Sequence, residues 1–168
     1  MKSIFKLLFA AFLTVAPLTA NAQSNVAHIN VQQLISEMPE VIAAQNELAK
    51  LEKDYNTQID NAFKEFQTKA QSYSSDAANQ TDVTNQARQK ELESMQTNLQ
   101  EFRDSAAQEL QKKQMDLMTP LLEKARNAIT KVGEEQGFNY VIDSSPNGGI
   151  ILANGKDLLT DVKKELGF

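Results

Sequence analysis

The sequence predicts an α+β chain that is mostly α: a long antiparallel coiled-coil helical hairpin standing on a small β-rich oligomerisation head. Three observations carry this. Apolar residues recur at three- and four-residue steps through residues 40–135, a span holding one proline, Pro120, and one glycine, Gly133. A polar stretch rich in Ser, Asn, Asp and Thr, from Ser72 to Asn85, interrupts the pattern. β-like runs with Gly and Pro punctuation lie only at the two ends of the segment that follows residue 22.

Residues 1–22 read as an address. Lys2 and Lys6 give a positive start, the apolar run from Leu7 to Val15 is too short to span a bilayer, and Ala20 and Ala22 set small side chains at a cleavage site. This is a secretory signal peptide, expected to be cut after Ala22, which takes the protein out of the cytosol with no stable membrane insertion after cleavage. The segment holds two lysines and no acids, so the remainder carries 15 basic against 22 acidic residues.

The whole chain has 168 residues, a formal net charge of −5 and no cysteine or tryptophan. That is one domain's worth. Disulfides, cysteine-based zinc sites and thiol nucleophiles are excluded. An acidic chain without a basic block is not built to hold nucleic acid by its phosphates.

Val26 to Val31 reads as a strand, and Asn30 is placed to cap a short helix through Leu34, Ile35 and Met38, with Gln33 positioned to close a capping box. Pro39 suits the first turn of a new helix. In that helix Ala44, Leu48, Leu51, Tyr55, Ile59, Ala62, Phe66 and Tyr73 form a stripe that lapses near Lys69. The stripe resumes with Leu92, Met95, Leu99, Phe102, Ala106, Leu110, Leu117, Leu121, Ala125, Ala128 and Val132. So narrow a stripe marks a coiled-coil seam rather than an all-round buried helix. Ser72 to Asn85 is then the tip of the hairpin, and a first arm of about 34 residues reaches ~50 Å. Pro120 is expected to kink the second arm or to cost it ~3 kcal/mol.

Gly137 is a candidate helix C-cap, Phe138 to Asp143 a strand, Ser144 to Gly148 a turn and Gly149 to Ala153 a second strand. Asp157 is placed to cap a last helix with Leu158, Leu159, Val162 and Leu166 on its apolar side. The domain reading is therefore a head from residues 23–38 and 137–168, and an arm from 39–136 with its tip near 72–85. So small a head and one two-helix arm bury little on their own, so strands from several copies are expected to close one shared sheet. Val26, Ile29, Val141, Ile142, Ile150 and Leu152 are the candidates for that oligomerisation head.

The order of elements resembles the Skp/OmpH family of periplasmic chaperones. The likeness rests on Val31-Gln32-Gln33-Leu34-Ile35, the long polar hairpin, Gly-Phe-Asn-Tyr-Val-Ile-Asp at residues 137–143, and Asp157, Leu158 and Val162 in the last helix. The resemblance implies a jellyfish-like homotrimer whose arms enclose a cavity, holding unfolded outer-membrane proteins without ATP. The chain departs from the family pattern in being acidic: Gln71 to Gln86 contains Asp76 and Asp82 and no Lys or Arg. A lipopolysaccharide site is therefore not carried over. Leu159 also stands where the last helix usually has a hydroxyl residue.

A holdase needs many weak apolar contacts rather than one deep pocket. Phe63, Met115 and Met118 fall off the seam, and Phe66 and Phe102 lie where a splayed hairpin would expose them. These five are the candidate client contacts, Met being the most adaptable. A coiled-coil spacer or adaptor of the cell envelope, without client binding, is the alternative reading; a lipid carrier is a weaker one, since the arms show no continuous apolar groove. His28 reads as a structural strand residue, and Asp143, Ser144 and Ser145 as turn-formers. No nucleophile–base–orienter set, phosphate loop or metal cluster stands out, and Asn147-Gly148-Gly149 lacks the Lys-Ser/Thr of a true phosphate loop. Neither enzyme chemistry nor a cofactor is expected. Intact-mass measurement of the exported protein is expected to find a chain starting at Gln23; a mass that includes residues 1–22 overturns the signal-peptide reading.

Overall fold

The structure, a computed structural model, describes residues 25–146 and 148–168. The expected signal peptide lies outside the described residues. Strand β1 (Val26–Ile29) is followed by helix α1 (Val31–Glu37), the 38-residue helix α2 (Pro39–Asp76), a 3-10 turn (Ala77–Asn79) and the 54-residue helix α3 (Asp82–Glu135). Strands β2 (Tyr140–Asp143) and β3 (Lys156–Asp157) and helix α4 (Leu159–Leu166) complete the chain. Helices α2 and α3 pack against each other as the hairpin.

The head is organised around β1, which stands at the centre of a three-stranded sheet of order β2-β1-β3 with both neighbours parallel to it. Val26 is opposite Tyr140, Ile29 opposite Asp143 and Ala27 opposite Lys156. Alternation along the strand turns Ala27 and Ile29 into the core. They meet Leu34, Met38 and Val41 from the first two helices, Ala125, Ala128 and Val132 from the end of α3, and Leu158 and Val162 at α4. Beyond this core the buried residues are few. Ala44, Leu99 and Ala106 mark the apolar seam of the arm, as a stripe at three- and four-residue spacing requires.

Local signals place the helix ends. The Asn30 side chain accepts from the Gln33 amide at 2.9 Å and caps α1. The capping box is only half made, because the Gln33 side chain turns forward to Glu37 at 2.9 Å. Pro39 occupies the first turn of α2, where its missing N–H costs nothing. At the far end of α3 the Phe138 amide donates to Gly133 and the Gly137 amide to Glu134, with Gly137 at φ +73°. These bonds make a Schellman motif. Asp157 accepts from the Leu159 amide at 2.9 Å in a turn that leads into α4, whose N-cap is Leu158 rather than the expected Asp157. Helix α3 runs unbroken through Pro120, whose ring leaves the Asp116 carbonyl without its helical donor.

Two sequence expectations change. Ser72 to Ser75 remain helical, and the chain reverses only between Ala77 and Thr81, whose hydroxyl accepts from the Thr84 amide at 3.2 Å. The Ser75 hydroxyl donates to the Gln71 carbonyl at 2.6 Å, which lets a polar residue stay within the helix. The second change is in the head. Gly149 to Ala153 forms no strand; β3 is Lys156–Asp157 instead. Both edges of β1 are taken by β2 and β3, and the 149–153 segment does not pair with the open edge of β2 or of β3.

Polar rungs cross the seam. Glu40 pairs with Lys124 at 2.5 Å, Glu47 with Lys113 at 2.8 Å, and Lys69 with Glu91 at 2.6 Å. Among the described residues no helix is long and apolar enough to cross a membrane.

Leu34 is completely buried, so Leu34→Ala is expected to lose about 2–5 kcal/mol of stability in denaturant unfolding. Gly133 lies so close to β2 that an added Cβ would stand 2.8 Å from Val141 Cγ2. Gly133→Ala is accordingly expected to destabilise the chain despite alanine's better helix propensity, and a raised denaturant midpoint would contradict this packing.

Candidate functional site

The residues singled out for binding divide between the arm and the head. On the arm, Phe63 keeps 40% of its surface exposed and Met115 keeps 55%. Both sit off the stripe that joins α2 to α3, so their apolar surface faces outward. Phe66 and Phe102 are half-buried at the seam. Phe102 meets the Tyr55 ring edge-on at 6.1 Å between centroids. The Tyr55 hydroxyl donates to Glu109, and that hydrogen bond holds the phenol above its ordinary pKa.

Met118 lies elsewhere than its spacing suggested. It is half-buried against the head core, beside Leu121, because α3 runs past the start of α2 and its final turns belong to the head. Ile42, Leu122 and Val83 are exposed apolar side chains that the sequence reading passed over. Ile42 and Leu122 follow buried or half-buried neighbours directly, and nothing in the stripe spacing separates a side chain at its margin from one inside it.

The head candidates fall into two groups. Ile29 is buried, while Val26 and Val141 are half-buried, Val141 against the core. Ile142, Ile150 and Leu152 stay exposed, joined by Tyr140 and by a wholly exposed Ile151. These five apolar side chains lie on or next to segments with unused backbone pairing. β2 is an edge strand, and residues 149–153 are unpaired. Edge strands of this kind are templates for another chain. Beside β2, a cleft of about 570 Å³ is lined by Ile35, Leu122, Ile129, Phe138, Tyr140 and Val141, with Arg126 and Glu134 at its polar part. Its walls come from α1, the end of α3 and β2, which are far apart in the chain, so no local sequence signal announces it.

The polar residues of the head fasten it together. His28 Nε2 lies 3.1 Å from the Gly155 carbonyl and Nδ1 lies 3.1 Å from the Ser144 hydroxyl. A carbonyl only accepts, so Nε2 carries a hydrogen and donates to Gly155, while Nδ1 shares a hydrogen bond with the Ser144 hydroxyl. One imidazole thus ties β1 to the segments following β2 and preceding β3. Burial pushes the Asp143 carboxyl up, but hydrogen bonds from the Ser145 hydroxyl at 2.5 Å and from the Ser145 and Val31 amides outweigh it and hold the group below its usual range. Ser145 is buried and its hydroxyl accepts from the Gln32 amide at 3.0 Å, linking the turn after β2 to the first turn of α1. Asp143 and Ser145 therefore spend their polar atoms on each other and on α1. Among the described residues no group of three or more His, Cys, Asp or Glu side chains could hold a metal ion.

Two comparisons with known proteins agree with this architecture. Residues 25–166 match the family described as outer membrane protein (OmpH-like). The chain is also 27% identical over 169 residues to Chaperone protein Skp of Yersinia enterocolitica, a likeness covering 96% of this chain and 98% of that relative. The family match spans everything from β1 to the last turn of α4, and the protein belongs to the OmpH-like family.

Proposed function

We propose that the protein is an ATP-independent periplasmic holdase chaperone. It is exported, loses residues 1–22, and assembles through its head into a homotrimer. The arms then surround a cavity that holds unfolded outer-membrane β-barrel proteins and keeps them from aggregating. The head is formed by residues 23–38 and 137–168 with the last turns of α3 packed on them, and the arm by the rest of 39–136, reversing between Ala77 and Thr81 within the tip expected near 72–85.

The observation that carries this reading is the arm's division of its apolar surface. A seam only one stripe wide joins α2 to α3, and separate apolar side chains, Phe63 and Met115 among them, face outward between charged neighbours. Unfolded β-barrel chains present short alternating apolar segments. Scattered, adaptable contacts hold such segments weakly at many points, and confinement between arms raises their effective concentration. Membership of the OmpH-like family and the likeness to Chaperone protein Skp support the same reading.

The head supports assembly. A single copy leaves β2 as an open edge and exposes Tyr140, Ile142, Ile150, Ile151 and Leu152. An apolar patch flanking an unpaired edge is stabilised when a further chain covers it.

Light scattering tests the function. A urea-unfolded β-barrel protein diluted into buffer with the purified chain is expected to stay clear at stoichiometric amounts without ATP. Unchanged scattering would favour the spacer reading. Phe63→Ser combined with Met115→Ser is expected to weaken the suppression several-fold while leaving helicity intact; equal suppression would remove these two from the binding surface. Analytical ultracentrifugation is expected to show three copies, and a monomer at working concentration would contradict the assembly.

A further inference from the structure

The hairpin changes character along its length. Near the head it is closed by buried apolar side chains. In α2 no residue beyond Ala44 is buried, and in α3 none before Leu99. Towards the tip a polar cluster takes over the seam. One Glu91 carboxylate oxygen accepts from Lys69 at 2.6 Å and the other from the Tyr73 hydroxyl at 2.6 Å. The Arg88 guanidinium lies 4.7 Å from the centre of the Tyr73 ring and donates to Asp76 at 3.1 Å. Asp76 also accepts from Gln80 at 2.7 Å and Asn79 at 3.3 Å. Glu65 stands 3.9 Å from Lys69 on the same helix. Arg88 Nη1 is buried with no hydrogen-bond partner, so charge attraction holds the cluster together rather than complete pairing.

We propose that this cluster is a salt-responsive clasp: rising ionic strength loosens the arm between Phe66 and Met95, while the inner arm and the head stay closed. The inner seam also carries ion pairs, Glu40–Lys124 and Glu47–Lys113, but buried Ala44, Leu99 and Ala106 close it beside them, and that apolar burial is not screened by salt. The clasp consists of part-exposed charges, and their attraction falls as the screening length shortens. The proposal concerns the arm alone and does not depend on the chaperone reading.

The titration behaviour fits a device driven by salt at neutral pH. The bond from Arg88 holds Asp76 below its ordinary range, and the bonds from Lys69 and Tyr73 do the same for Glu91. A depressed carboxylate contributes above its unfolded pKa and loses that contribution as pH falls through its folded one, so acid opens the clasp only below about pH 4. The bond to Glu91 raises Lys69, and the bond from Tyr73 to Glu91 raises that phenol. A raised group keeps its contribution below its unfolded pKa and loses it as pH rises through the folded one, so base opens the clasp only above about pH 10.

Hydrogen exchange read by mass spectrometry on the full chain tests this. Sodium chloride is raised from about 0.01 M to about 1 M, shortening the screening length from ~30 Å to ~3 Å. Amides of residues 67–91 are expected to exchange about three- to tenfold faster at high salt, and those of 99–106 and 125–132 to change less than about twofold. Glu91→Gln is expected to exchange at low salt as the unaltered chain does at high salt, and to lose the salt response. Glu93→Gln, the same charge change two residues on, is expected to keep it. A salt-insensitive tip overturns the proposal. So does an equal response along the whole arm, or a salt response lost equally in Glu93→Gln.

Discussion

A single apolar stripe on each long helix is the constraint from which the rest follows. One stripe can be satisfied by one partner helix and by nothing more, so α2 and α3 make a rod and not a globule. All the volume available for a true core is pushed to one end. There β1, α1, Met38 and the first turn of α2, the last turns of α3 and the C-terminal elements share ten buried residues. The molecule has depth only where these segments converge, and the remainder of its surface is arm.

The seam also has to settle its register, which apolar repeats alone leave open. The cross-arm charges do this. Near the head the acid is on α2 and the base on α3, as in Glu40–Lys124 and Glu47–Lys113. The order reverses at Lys69–Glu91 and reverses again at Asp76–Arg88. A slip of seven residues along α3 would keep the stripe spacing but set Lys69 beside Thr84 or Asn98 in place of Glu91. Exposed pairs contribute little each, yet their alternating order disfavours the shifted alignments together. The lapse in the apolar pattern near Lys69 is therefore part of the pairing and not a gap in it.

What was legible in the sequence was what depends on neighbouring residues. Asn30, Pro39, Gly137 and Asp157 could be read as punctuation because capping and turn chemistry act over a few positions. The stripe could be read because helical spacing is itself local. The failures share the opposite cause. Gly149 to Ala153 has the composition of a strand, but composition does not say which edge a segment pairs with: the short β3 takes the second edge of β1, and 149–153 stays unpaired beside the open edge of β2. Ser72 to Ser75 has the composition of a turn, but contacts such as Tyr73 with Glu91 and Arg88 on the facing helix keep the residues around it helical. Met118 has the spacing of a free arm residue, but its packing depends on how far α3 outruns α2. Of the binding candidates, Phe63 and Met115 could be picked out as off-seam positions, whereas the cleft beside β2 could not, since distant segments build it.

The central position of β1 sets an order of events. Its two flanking strands arrive only at Tyr140 and Lys156, more than a hundred residues after it, with the entire hairpin between. The hairpin closes through comparatively local contacts and the sheet only through remote ones, so the arm is the fast-forming part and the sheet the slow one. A nascent chain that has emerged only as far as α3 carries a solitary first strand with nothing beside it. The base of the molecule thus closes only after residues 140–157 have emerged, because its middle strand is made long before its neighbours.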